Sequence, residues 1–121
     1  MARVLALVPD LLFGSKVVSM IEGAGHEVTL CSAEDEARAR LEAADVLVVD
    51  LTTDAVDGAT LVDSMRSGGE LHGKPTLAFY SHVDTAMRAR AEEVGFDLVV
   101  PRSRMAREGG LLVSQLAEAE G

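Results

Sequence analysis

The chain holds one cysteine, no tryptophan, one tyrosine and three phenylalanines, so that aromatics make up only 3% of 121 residues. A lone Cys31 excludes an internal disulfide and suits a reducing compartment, so a cytoplasmic location is expected. With so few rings, the core must be built from Val, Leu, Ala and Met. No apolar run approaches the ~20 residues that a membrane span needs, so no membrane is expected as partner. The stretch Met1-Ala2-Arg3-Val4 passes straight into a strand pattern and shows no secretory signal. Basic residues are in the minority: 11 Lys and Arg against 20 Asp and Glu give a formal charge of −9. Nucleic-acid binding depends on basic side chains that displace counterions, so this balance argues against it. No Ser/His/Asp set, Cys/His metal spacing or nucleotide loop is present, and the chain does not read as an enzyme. The one glycine signal, Phe13-Gly14-Ser15-Lys16, lacks the spacing of either nucleotide fingerprint.

What is present is a 48% hydrophobic chain of single-domain length, read as one stand-alone domain over 1–121. Short apolar runs alternate with helical patterns five times. The first strand spans about Arg3 to Val8 and is broken by Pro9-Asp10. A helix follows to about Ala24, with Leu12, Ser15, Val18, Ser19 and Glu22 at helical spacings and Val17, Met20 and Ile21 nearby. Gly23-Ala24-Gly25 ends it. The second strand is His26 to Cys31. Ser32 is suited to cap the second helix, with Asp35 at its positive end and Ala33, Ala37 and Leu41 along its apolar line. Glu34–Arg38 and Glu36–Arg40 are spaced for surface pairs. The third helix carries Leu61, Val62 and Met65 and stops at Ser67-Gly68-Gly69. Thr76 to Tyr80 is the fourth strand, and a helix with Met87, Ala91 and Val94 inward runs from near Asp84 to Gly95. Leu98 to Val100 is the fifth strand, and the last helix runs from Leu111 to Ala119. Strands joined by helical crossovers imply an α/β fold with a parallel sheet.

The middle of the chain organises the rest. Asp45 precedes Val46-Leu47-Val48-Val49, four apolar residues without alternation, as expected for a strand buried on both faces. Asp50 then stands at the carboxyl end of that strand, the edge where open α/β sheets place ligands. Thr52, Thr53 and Asp54 form a polar loop, and Asp57-Gly58 has the form of a helix cap and first turn. The order of acid, apolar strand, acid, loop and Asp-Gly resembles the response-regulator receiver domain. Asp45, Asp50, Asp57 and Gly58 fall on family positions, with Asp54-Ala55 where the family usually has Pro-Gly. Gly25-His26-Glu27-Val28 and the spacing from Pro75 to Gly95 extend the register over nearly the whole chain.

The resemblance implies a doubly wound, flavodoxin-like sheet of order 2-1-3-4-5, with Asp50 in the place of the phosphoacceptor. It also exposes gaps. The family's acidic pair after strand one falls on Val8 and Pro9, which cannot ligate a cation through their side chains. Its small hydroxyl after strand four falls on Tyr80, with Ser81 one residue later, and its lysine falls on Arg102, preceded by Pro101. Arginine keeps the charge but presents a planar fork. Of the five hallmark side chains only Asp50 is intact, so the chain resembles a degenerate pseudo-receiver. The register gathers Thr52, Tyr80, Ser81 and Arg102 around Asp50 as a phosphate pocket, and pairs Arg102 with Asp50.

Three functions are consistent with these residues. The first is a non-catalytic signalling module without cofactor. It would bind a protein partner or a second copy through the fourth helix, fifth strand and fifth helix, where Arg88, Arg90 and the Arg102–Arg107 cluster stand beside Leu111, Leu112 and Val113. The second is a phosphoacceptor using Asp50, with magnesium held by a rearranged set of Asp10, Asp50 and Asp54. The third is an anion or small-ligand site built from Ser81, His82, Arg102 and Arg104. His82 otherwise reads as a surface loop residue, and Cys31 as an inert thiol.

Overall fold

The computed structural model describes residues 1–120. Five strands form one parallel sheet: β1 (Arg3–Leu7), β2 (Glu27–Cys31), β3 (Val46–Asp50), β4 (Thr76–Tyr80) and β5 (Leu98–Pro101), in the order 2-1-3-4-5. The helices are α1 (Leu11–Gly23), α2 (Glu34–Arg40), α3 (Gly58–Ser67), α4 (Thr85–Val94) and α5 (Arg102–Glu120), with a 3₁₀ turn at Leu41–Ala43 after α2. β3 lies at the centre, with Val49 opposite Leu7 of β1 and Asp50 opposite Phe79 of β4. No helix among the described residues is long and apolar enough to cross a membrane.

Strand alternation divides the core in two. Leu5, Leu7, Leu47, Val49, Ala78 and Tyr80 point towards α2, α3 and α4, where they meet Ala37, Leu61, Val62, Met65, Ala91 and Val94. Val4, Ala6, Val8, Val46, Val48, Leu77 and Phe79 point the other way, onto Phe13, Val17 and Ile21 of α1 and Met105, Leu112 and Val113 of α5. Successive side chains of a strand leave opposite faces, so a continuous apolar run feeds both layers.

The helices that follow β1, β3 and β4 each start with an aspartate that satisfies first-turn N–H groups. Asp10 Oδ1 accepts from Leu12 N at 3.0 Å and Phe13 N at 3.2 Å. Asp57 accepts from the backbone and hydroxyl of Thr60 at 3.1 and 2.8 Å. Asp84 accepts from Met87 N at 3.0 Å. α4 ends at Gly95 in the left-handed region, φ 97°, and Arg66 closes that end by donating to the carbonyls of Val94 and Gly95.

Five sequence expectations need correction. The last helix starts at Arg102, more than two turns before Leu111. Gly109 and Gly110 do not break it because α1 crosses there: a Cβ on Gly110 would lie 2.6 Å from the carbonyl oxygen of Met20. Helical propensity is overridden by this close packing. The buried stripe of α1 is Phe13, Gly14, Val17 and Ile21, while Leu12 is 87% exposed. Ser32 does not cap α2: Ala33 stands in the cap position, and Ser32 bonds only to Glu36 Oε1. That contact draws Glu36 away from Arg40, so the expected Glu36–Arg40 pair is missing while Glu34–Arg38 forms at 3.8 Å. Finally, Leu112 and Val113 are buried in the α1/α5 layer and take no part in an outer surface.

Candidate functional site

The carboxyl edge of the sheet carries the candidate site. Continuing the alternation past the strand ends sends Asp50, Thr52 and Ser81 to the α1/α5 side, the side of Val48 and Phe79. There Thr52, Ser81, His82, Arg102 and Ser103 line a hollow of about 520 Å³ whose apolar wall is Phe13 and Ala106.

Asp50 is 2% exposed and turns one oxygen inward on its own loop. Its Oδ1 accepts from Thr52 N at 2.7 Å and from Thr52 Oγ1 at 2.6 Å. Two short charge-assisted bonds on one oxygen hold the carboxylate in place. Among the described residues Oδ2 takes no hydrogen bond from the protein.

Arg102 is placed by stacking. Its guanidinium carbon lies 4.2 Å from the centroid of the Phe13 ring, and Phe13 in turn packs against Phe79 at 5.2 Å between centroids. Arginine favours such faces because the ring quadrupole attracts the cation. Its ionic neighbour is Asp10, with Nη2 3.7 Å from Oδ2. The expected Arg102–Asp50 pair does not form: Asp50 is satisfied by the backbone two residues on, and the Phe13 ring draws Arg102 towards α1.

Tyr80 also leaves the expected pocket. It is buried among Leu5, Leu7, Ala91 and Val94 on the opposite face of the sheet, and Ser81 takes the place facing the hollow. A single step along a strand reverses the face, so the residue that counting assigns to the hydroxyl position and the one that occupies it differ by one. Arg104 is outside the hollow and bonds Glu108 Oε2 at 3.2 Å. Sequence reasoning does not single out Phe13, Ser103 or Ala106 as residues of this hollow. Phe13 carried the only signal, as one of three phenylalanines in the chain and close behind the end of β1.

The residues present do not fit magnesium. That ion asks for octahedral oxygen donors, usually one or two carboxylates with waters. Val8 is buried in apolar packing, and Pro9 offers no side-chain donor. Asp10 uses Oδ1 to cap α1 and lies beside a guanidinium with Oδ2. Asp54 lines a separate hollow with Leu51, Thr53, Val56, Asp57, Gly58 and Met87. Asp10, Asp50 and Asp54 therefore do not converge, and no group of three acidic, histidine or cysteine side chains suited to a metal occurs among the described residues.

Elsewhere, Cys31 is buried at the end of β2, and its thiol pKa is pushed up to about 11 by desolvation, with Glu36 adding to the shift and Arg40 opposing it. A thiol held protonated is a poor nucleophile. Phe13-Gly14-Ser15-Lys16 lies within α1, where Gly14 is buried, so it forms no phosphate loop.

No family model and no curated protein sequence matches the chain. Solved structures do. The receiver domain of the Francisella response regulator 1452 superposes with a TM-score of 0.86 at 19% identity, covering 100% of both chains. A response regulator from Chloroflexus aurantiacus gives 0.85 at 20% identity, over 97% of this chain and 98% of that one. The chemotaxis protein CheY4 of Vibrio cholerae gives 0.81 at 20% identity, over 96% and 98%. The chain therefore has the receiver fold along its whole described length.

Proposed function

We propose that this chain is a receiver-like, cytoplasmic signalling module that acts through protein contacts and does not run magnesium-dependent phosphoryl transfer. The observation that carries the reading is the fate of Asp10. It is the one acid near the end of β1, and it is spent on the N-cap of α1 and on Arg102. A carboxylate already bonded through one oxygen and beside a fixed guanidinium through the other is a weak cation ligand. Phosphoryl transfer needs a cation to neutralise incoming charge, and an arginine on a ring cannot replace the bridging geometry of a metal ion.

The contact surface proposed is the α4–β5–α5 face, for a protein partner or a second copy. Arg88 on α4 is exposed there, and Leu98 and Val99 of the edge strand are half-buried. Pairing of Arg88 with Glu92 leaves the face mixed in charge, which suits protein contacts better than nucleic acid. No catalytic turnover is assigned to the chain.

The test is incubation with magnesium and acetyl phosphate followed by intact mass. No covalent phosphoryl group is expected. A mass gain abolished by Asp50→Asn would establish the second reading, a phosphoacceptor at Asp50. One observation favours that second reading: Asp50 Oδ2 carries no hydrogen bond at a carboxyl strand end beside Thr52 and Ser81, an oxygen still free to attack phosphorus.

A further inference from the structure

We infer that the hollow at the amino edge of the sheet is a binding site for a small aliphatic amino acid, held by its carboxylate and its ammonium group together. The hollow lies at the opposite end of the strands from Asp50, so this assignment goes beyond the signalling reading and does not rest on it.

Its volume is about 650 Å³, within the range of small-molecule sites. Side chains reach it from the starts of β1, β2 and β3, the α3–β4 loop and the second half of α5. The floor is apolar, with Ala2, Ala44 and Val46 buried there, and suits an aliphatic side chain.

His26 is the fixed wall. Its Nδ1 accepts from Ala2 N at 3.0 Å, and its Nε2 lies 2.8 Å from Ser114 Oγ. A backbone amide can only donate, so Nδ1 is the bare nitrogen and Nε2–H donates to Ser114. The hydroxyl proton of Ser114 is therefore left over, and no acceptor takes it among the described residues. Lys74 lines the same hollow and enters no ion pair among those residues. An ammonium group and a hydroxyl with donors to give suit a carboxylate. The acceptors are equally unspent. Glu42 and Glu118 enter no ion pair there, and Asp45 uses only Oδ2, on Arg3 N at 2.8 Å. A purely anionic ligand would meet these carboxylates, and a purely cationic one would meet Lys74. A zwitterion satisfies both sets.

His72 supplies an independent observation. It is the one non-glycine residue with a positive φ among the described residues, at 51°. With Gly73 at 74° it fills the centre of a turn closed by Lys74 N donating to the Leu71 carbonyl at 3.0 Å. Two positive φ angles make a type I′ turn, where Gly, Asn and Asp are at ease. Histidine there holds strain, and strain kept at the rim of a hollow points to a use for the side chain. Its imidazole is exposed and makes no hydrogen bond among the described residues, so it is open to a ligand.

The experiment is a ¹⁵N-amide titration of the whole chain with L-leucine, 4-methylpentanoate and 3-methylbutylamine, which share a side chain and differ in charge. Leucine should move the His26, Asp45, His72 and Lys74 amides saturably. Each half-ligand should bind roughly tenfold more weakly, about the worth of one charge-assisted contact. Lys74→Gln should weaken leucine and the acid but not the amine. The double change Glu42→Gln with Glu118→Gln should weaken leucine and the amine but not the acid. His72→Gly removes the imidazole and the strain together, so leucine affinity should fall while the melting temperature holds or rises. The inference is overturned if leucine does not saturate, if either half-ligand binds as tightly as leucine, or if the charge variants leave all three affinities unchanged. Phosphorylation of Asp50 by acetyl phosphate would break the signalling reading alone, whereas absent leucine binding with unchanged intact mass breaks only this inference.

Discussion

Two hollows open along the carboxyl edge of the sheet, one towards each helical layer. The one on the α1/α5 side is lined by Phe13, Thr52, Ser81, His82, Arg102, Ser103 and Ala106, and its charge is basic. The one on the α3/α4 side is lined by Leu51, Thr53, Asp54, Val56, Asp57, Gly58 and Met87, and its charge is acidic. Both are fed by the loop that leaves β3, and neighbours in that loop diverge: Thr52 goes to one, Thr53 and Asp54 to the other. Asp54, four residues past Asp50, is thus carried away from the hollow that Thr52 lines. The lesson is that a count of carboxylates near a strand end does not make a metal site. The alternation of the strand decides which of them can meet.

Substitutions that act on one hollow and not the other sharpen this contrast. The largest effect is expected at the acidic hollow, from Gly58→Ala. A Cβ there would lie 2.4 Å from Val49 Cγ1 and 3.0 Å from Leu51 Cδ2, closer than real side chains pack. Overpacking against a buried central strand should cost about 1–3 kcal/mol, seen as a fall of several degrees in thermal melting. Next in size is Asp10→Ala, which removes the α1 cap and should cost about 1 kcal/mol in urea denaturation.

A smaller effect concerns pH. Asp57 is held below its ordinary value of 3.8 by the backbone and hydroxyl bonds from Thr60, with Arg90 adding a little. A carboxyl depressed in the folded state adds stability above its unfolded pKa and loses it as pH falls through the folded one. The acid limb of a stability–pH curve, below about pH 4, should therefore flatten in Asp57→Asn, since asparagine caps a helix without titrating. The smallest effect is none at all: magnesium should leave the melting temperature unchanged. A tight site would instead add about 2.7 kcal/mol at a hundred times its dissociation constant. Magnesium stabilisation that vanishes in Asp50→Ala would mean that the two sets of acids do meet, and the contrast drawn above would be lost.

Much of the fold was legible because its signals are local. The unbroken run Val46–Val49 marked a strand covered on both faces, and it is the central one. Asp57 as a cap and Gly95 as a stop also held, since capping and left-handed backbone depend on a residue and its immediate neighbours. Where the reading failed, a distant element had intervened. The last helix extends well before Leu111, because α1 lies across Gly109-Gly110 and lack of a side chain there is the condition for contact at Met20. The buried face of α1 includes Val17 and Ile21 but is not the line of Leu12, Val18 and Glu22 that helical spacing picks out, because periodicity in a largely apolar segment does not say which face meets the sheet.

The resemblance to receiver domains implied the sheet order, and the sequence by itself determined the strand–helix alternation, the parallel sheet and the place of Asp50 at the carboxyl end of the middle strand. Composition and short-range pattern suffice for these, because burial on two faces and crossover length are properties of single segments. The partners of each charged side chain were decided only by the tertiary structure. Arg102 and Asp50 both reach the same edge, yet Phe13 arrives from α1 to hold the guanidinium and Thr52 folds back to hold the carboxylate. A stacking ring and a backbone N–H compete for those groups at distances that no spacing along the chain encodes.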